Sequence, residues 1–317
     1  MDGRAGEFYD VGRMVRQVFS AGTVIYRRDC GKIRLGISNI GSHEHPGEFR
    51  GNSGRILKKS LKTIAIIAGW LVVWQITSIL MHNRILMAGP VETLAALTEM
   101  VMTESFWMSL LFSFVRIAGG FLLGSAVGIA LAYLSYRKPL AGEILSPLVT
   151  VLKAVPVASF IIIALIWFGS ARVSFVISFI VVFPMLYLNT VEGLSSLDRN
   201  LLEMAEVFRI PTLARLRYIE LPGVYPFLFG AFRLAIGMSW KSGVAAELIG
   251  QYKLSIGNQL YMDKITLDTA GIFAWSAVII FVSWAFEKAF LFLFEKIAGT
   301  AARAPKAAAV TGGRQEI

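Results

Sequence analysis

Apolar residues gather in long runs along this chain, and the runs are about as long as a membrane is thick. Each residue of a helix advances about 1.5 Å, so about 20 apolar residues cover a hydrocarbon layer of about 30 Å. Thr63 to Met81, Leu110 to Tyr133, Val151 to Phe168, Val173 to Leu188, Pro226 to Leu248 and Ile272 to Phe294 meet that test. Between the third and fourth runs, Gly169, Ser170, Ala171 and Arg172 leave room only for a tight turn between antiparallel helices. The pattern predicts an all-α integral membrane protein with six transmembrane helices.

Composition agrees: the 317 residues are 56% hydrophobic and 16% charged, with a mean hydropathy of +0.63. The single cysteine, Cys30, excludes an internal disulfide framework and a thiolate cluster. The three histidines, His43, His45 and His82, make no convincing metal site, and the first two sit in a polar, Gly-rich stretch.

The net charge of +10 invites a nucleic-acid reading until its placement is considered. With both termini cytoplasmic, the inner segments carry 23 Lys and Arg, against 4 in the outer ones, namely Arg84, Arg172, Lys253 and Lys264. Cationic residues are retained on the inner side, so this bias sets the orientation of a multi-pass plasma-membrane protein and accounts for the basic pI with no nucleic acid.

Residues 1–55 are polar and Gly-rich with no sustained apolar period, so they are expected to be a disordered, dispensable extension. No secretory h-region occurs before Thr63. Ile56 to Lys62 reads as a basic amphipathic lead-in along the inner surface. The transmembrane domain is expected over 56–297 and a flexible cytoplasmic tail over 298–317.

The longest internal cytoplasmic loop, 189–223, is patterned. Asp198 can cap a helix from Arg199 to Phe208 that places Leu201, Leu202, Ala205 and Phe208 on one side. Pro211 interrupts it, Thr212 can cap a second short helix through Ile219, and Pro222 is expected to end that one.

Within this loop Glu203, Met204, Ala205, Arg209, Ile219, Leu221 and Pro222 resemble the EAA signature of binding-protein-dependent ABC importer permeases. That signature reads E-A-A, three residues, Gly, nine residues, Ile, one residue, Leu-Pro, and five of its seven fixed positions match. Met204 replaces an Ala and Arg209 replaces the Gly. Arg209 must then adopt an unfavourable conformation, or Ile210 and Pro211 must make the bend. Over about Leu57 to Ile297 the chain is similar to the nitrate, sulfonate, taurine and bicarbonate branch, through VLKAVPVASFIIIALIWFG (151–169), the Arg-bearing second span and SWKSGVAAELIG (239–250).

The resemblance implies a permease that imports a small, anionic solute. The bent loop between the fourth and fifth spans would dock into a cytoplasmic ATPase dimer, with Glu203 as acidic contact, Ala205 giving close packing and Phe208 on the same helix. It further implies a second copy of the permease and an extracytoplasmic solute-binding protein. No G-x-x-x-x-G-K-[ST] loop occurs, so ATP and Mg are expected on the partner and no cofactor here.

Gly120, Gly124, Gly128 and Ala132 recur every four residues, a stripe that lets another helix approach closely. Charges at membrane depth must face protein, water or one another, so Arg116, Arg233, Lys241 and Glu247, with Trp240, are candidates for lining the pathway; the alternatives are a structural pair or a reach to the inner boundary for Arg233 and snorkelling to the outer boundary for Lys241. Glu247 and Glu287 read as isolated carboxylates, Pro156 and Pro184 as ordinary kinks or flex points, and Trp107, Trp167, Trp275 and Tyr252 as boundary anchors. An ion-coupled secondary transporter is the alternative, but it calls for matched broken sites in two halves, and no such repeat occurs. A membrane enzyme would need a catalytic constellation, and no His lies in a span.

Overall fold

A computed structural model describes the backbone over 50–81 and 86–311 and the side chains over 63–81 and 86–297. Cys30, His43, His45, His82, Arg84, most of the N-terminal extension (1–49) and the last tail residues (312–317) lie outside the described residues. Contacts divide the chain into two units, Met1–Ala65 and Ile66–Ile317. Apart from the first part of α1, the features below belong to the second.

The elements are α1 (Arg50–Leu80), α2 (Pro90–Val101), α3 (Glu104–Arg137), α4 (Pro139–Ala154), α5 (Val157–Phe168), α6 (Val173–Ser195), α7 (Arg199–Val207), α8 (Thr212–Arg215), a π turn (Leu216–Glu220), α9 (Leu221–Gly250), α10 (Ile256–Thr266) and α11 (Thr269–Thr311). No strand occurs among the described residues. Residues 50–55, expected as part of the extension, and 298–311, expected as tail, are helical. Five stretches are long and apolar enough to cross a membrane: Thr63–Leu80, Glu104–Arg137, Val173–Ser195, Thr212–Gly250 and Thr269–Ile297. The bent pair α4 and α5 makes a sixth if counted as one span.

That pair corrects the single span expected over 151–168, which starts earlier and breaks at Pro156, one of the two prolines read as kinks or flex points. The chain bends by 105° between Ala154 and Val157. Pro156 has no N–H to donate and disfavours helix at Val155, which is extended at φ −76°, ψ 132°. Pro184 behaves differently and sits inside an unbroken α6. The turn after α5 is as tight as expected, with Gly169 at φ 73° and the Arg172 N–H donating to its carbonyl at 3.4 Å.

Two helices escaped the sequence reading. Thr98, Glu92 and Glu99 dilute the apolar pattern of α2, which starts on Pro90 while Glu92 Oε2 accepts from the Gly89 N–H at 3.3 Å. Helix α10 is polar and short, and Ser255 caps it by accepting from the Asn258 N–H at 3.1 Å.

Helices α3, α6 and α9 form the centre of the bundle. The small-residue stripe behaves as expected: a Cβ on Gly124 would lie 3.0 Å from the Phe179 carbonyl, and one on Gly128 2.8 Å from that of Phe183. On the other side of α3, Phe121 meets Phe290 edge to face with centroids 5.0 Å apart, and Phe232 meets Phe294 at 4.8 Å. Trp275, expected at a boundary, is buried and stacks on Phe106 at 5.1 Å. By contrast Trp70, Val73, Ile76 and Ile79 of α1 are exposed, as a lipid-facing helix requires.

Candidate functional site

The loop between the fourth and fifth spans carries the matched positions. Asp198 caps α7 as expected, its Oδ1 accepting from the Asn200 N–H at 2.9 Å. Helix α7 then ends in a Schellman arrangement: the Ile210 N–H donates to the Ala205 carbonyl at 2.9 Å and the Arg209 N–H to that of Glu206 at 3.0 Å. Such an ending needs a left-handed residue, and Arg209 supplies it at φ 49°. Of the two ways to make the bend without glycine, the chain uses the strained one, at a cost of about 1–2 kcal/mol.

The second short helix departs from expectation. Its N-cap is Pro211 and not Thr212, and it does not stop at Pro222. Helix α8, the π turn and α9 follow one another without a break, so Thr212–Gly250 is one helical stretch. Pro222 lies in the first turn of α9, where its missing N–H matters least. The wider turn before it is closed by the Leu221 N–H donating to the Leu216 carbonyl.

Helix α7 is two-sided, though not as the sequence suggested. Ala205 is 2% exposed and Leu202 half-buried, so both face the chain itself. The close packing assigned to Ala205 toward another protein is therefore internal, since no surface remains to offer. The outward side holds Leu201, Glu203, Met204, Val207 and Phe208, all exposed, with Phe208 at 73%. Of the later positions, Ile219 is half-buried and Leu221 and Pro222 enter α9.

The pathway candidates separate. Trp240 is buried in the core against Phe114 and Phe286, with centroids 5.9 and 6.4 Å away. Glu247 is 1% exposed. Its Oε2 accepts from the Ser113 hydroxyl at 2.6 Å and from the Gly257 N–H at 3.4 Å, while Ser113 Oγ accepts from the Ile256 N–H at 2.9 Å. It is therefore not an isolated carboxylate, and it joins α3, α9 and α10. Arg116 donates to the Leu254 carbonyl at 3.3 Å and lies over the Tyr252 ring at 4.2 Å. Arg233 and Glu287 are a pair at 3.1 Å between α9 and α11, so Glu287 is not isolated either. Lys241 is exposed.

The sequence reading also missed a cavity of about 780 Å³ between α3, α4 and α6, at the end of the bundle that carries the loop. Ser135, Ser146, Thr150, Lys153, Tyr187 and Ser195 are among its lining residues. Hydroxyls spread over three helices have no signature along the chain, and Lys153 read only as an inner-boundary charge. No group of His, Cys, Asp and Glu able to hold a metal ion occurs among the described residues.

The chain is similar to known transport permease proteins. The chain is 28% identical over 206 residues to the nitrate import permease protein NrtB of Synechococcus elongatus, covering 61% of this chain and 73% of that one. It is 28% identical over 193 residues to the putative aliphatic sulfonates transport permease protein SsuC of Bacillus subtilis, covering 60% and 70%. It is 29% identical over 211 residues to the bicarbonate transport system permease protein CmpB of Synechococcus elongatus, covering 62% and 74%. Residues 120–297, which hold the broken span, the bent loop and the buried Glu247, match the binding-protein-dependent transport system inner membrane component. The chain thus belongs to that family, as a multi-pass plasma-membrane permease subunit of an ABC importer.

Proposed function

We propose that this permease carries a small oxyanion inward, and that α7 is the contact through which a separate ATPase drives it. Membership of the family implies an ATPase and a solute-binding protein as partners. The observation that carries the docking reading is the outward side of α7, where Leu201, Met204, Val207 and Phe208 stand exposed beside Glu203 on a helix outside the candidate spans. An apolar patch with an acidic member, on a rigid helix joined to the fifth span, suits a groove with a basic residue. In this reading the loop is cytoplasmic, two copies of the chain pair, and ATP and Mg are held by the ATPase.

The anionic cargo rests on two supports. The three relatives are named for nitrate, aliphatic sulfonates and bicarbonate, all of them oxyanions. The cavity beside α4 offers hydroxyls and the Lys153 ammonium, with no carboxylate in its lining, a set of groups suited to a small anion.

The docking test is co-purification. Glu203→Lys and Phe208→Ala should each cut the ATPase recovered with the inserted permease about tenfold, a loss of about 1.4 kcal/mol of binding. Unchanged recovery with both variants overturns the docking role. For the cargo, titration of the cognate solute-binding protein with nitrate, methanesulfonate and bicarbonate should give saturable binding of at least one; binding of none overturns it.

A further inference from the structure

A chain of charges runs from α7 into the bundle. Glu220, the last residue of the π turn, is wholly buried at 0% exposure. Its Oε1 accepts from Arg137 Nη2 at 2.8 Å and from Arg215 Nε at 3.0 Å. Arg137 ends α3, and its Nε and Nη2 donate to the Tyr133 hydroxyl at 3.0 and 2.7 Å. Arg215 ends α8, and its Nη1 lies 3.6 Å from Glu206 Oε1 on α7. Glu206, Arg215, Glu220 and Arg137 thus join the docking helix to the end of the second span and to the start of the fifth.

Stability alone is a weak reason for such a cluster. A buried ion pair gains little over well-packed apolar residues, whereas removing one partner leaves the other charge uncompensated. Here the asymmetry is pronounced, because one carboxylate serves two guanidinium groups whose side chains are only 29% and 15% exposed. Without Glu220 the two cations would face each other. The carboxylate also sits in the one stretch of the Thr212–Gly250 helix where the backbone ladder widens to the π pattern, which is where such a helix yields most readily.

We infer that Glu220 is a positioning residue for transport: it clasps the end of the second span and the loop to the base of the fifth, so that a displacement of α7 reaches both spans together. This rests on the docking reading above, since α7 must be pushed for the clasp to transmit anything. Without the clasp, the π turn absorbs the displacement and the second span stays behind.

The experiment uses the complex of permease, cognate ATPase and solute-loaded receptor in lipid nanodiscs, and reads two quantities: basal ATP hydrolysis and its stimulation by receptor. Glu220→Gln should keep basal hydrolysis and ATPase recovery within about twofold while losing about tenfold of the stimulation, the size of a typical coupling between sites. The triple variant Arg137→Met, Arg215→Met, Glu220→Leu replaces the charges with apolar groups and should assemble yet remain unstimulated. Glu220→Asp, which keeps the charge, should retain stimulation. Full stimulation in Glu220→Gln or in the assembled triple variant overturns the clasp, as does loss of stimulation in Glu220→Asp equal to that in Glu220→Gln. If the parent permease fails to retain the ATPase, the docking reading falls and the clasp falls with it.

Discussion

The Ser113 hydroxyl donates to Oε2 of Glu247 across 2.6 Å, joining α3 to α9 at two buried positions 134 residues apart in sequence. The same Ser113 oxygen accepts the first N–H of α10, so one side chain ties three elements. Ser113→Ala would leave both a buried carboxylate oxygen and a buried N–H without that partner. We expect a loss of about 1–3 kcal/mol, read as a lower unfolding midpoint of the permease in detergent. A midpoint equal to that of the parent would contradict this account.

Close helix contact makes a graded prediction. A Cβ on Gly120 would overlap the Phe175 carbonyl, whereas one on Gly237 of α9 meets nothing within 4 Å. Gly120→Ala should therefore push α3 and α6 apart and destabilise the fold by about 1–3 kcal/mol. Gly237→Ala should be neutral or slightly stabilising by the same assay, and the reverse order would refute the packing of the stripe.

Arg209 holds a left-handed conformation in a position where the family signature has glycine. Arg209→Gly relieves that strain and should stabilise the end of α7 by about 1 kcal/mol. Hydrogen exchange of the Arg209 and Ile210 amides, both bonded back into α7, should slow accordingly. Faster exchange would mean that the guanidinium contributes more than its backbone costs.

On α10, outside the spans, desolvation and the neighbouring Asp268 push the Asp263 carboxyl up to about 6. A carboxyl raised in the folded state favours folding when protonated, so its contribution is complete below the ordinary value of 3.8 and fades as pH rises through about 6. Asp263→Asn removes the charge at all pH values. The variant should match the parent near pH 4 and exceed it by about 2 °C in unfolding midpoint near pH 8. An identical pH dependence in the two proteins would remove Asp263 as the cause.

Much of this was legible in the sequence for physical reasons that act locally. Hydrocarbon thickness sets the length of spans, so hydropathy found them; a four-residue repeat of small side chains marked where another helix comes close to α3; Asp198 and the Arg209 to Pro211 bend marked the two ends of α7. What stayed hidden is what local pattern cannot encode. Val151 to Phe168 is largely apolar, with Lys153 its one charge, so hydropathy merged its two halves into one span, and Pro156 marked a flex point without revealing that the bend reaches 105°. Pro222 reads as a stop in the sequence because the π turn ahead of it has no sequence signature. Glu220 looked like the unspecified residue of the Ile-x-Leu-Pro run, since its partner Arg137 is 83 positions away.

The joint between α4 and α5 gives the molecule uneven stiffness. Elsewhere, turning one part of a span against another would break rungs of a continuous backbone ladder. Here the Val155 N–H donates back to Val151 and the Ser159 N–H to Pro156, each staying on its own half. Rotation about that point would rupture neither of these rungs, so resistance to it comes from side-chain contacts and from the fixed φ of Pro156.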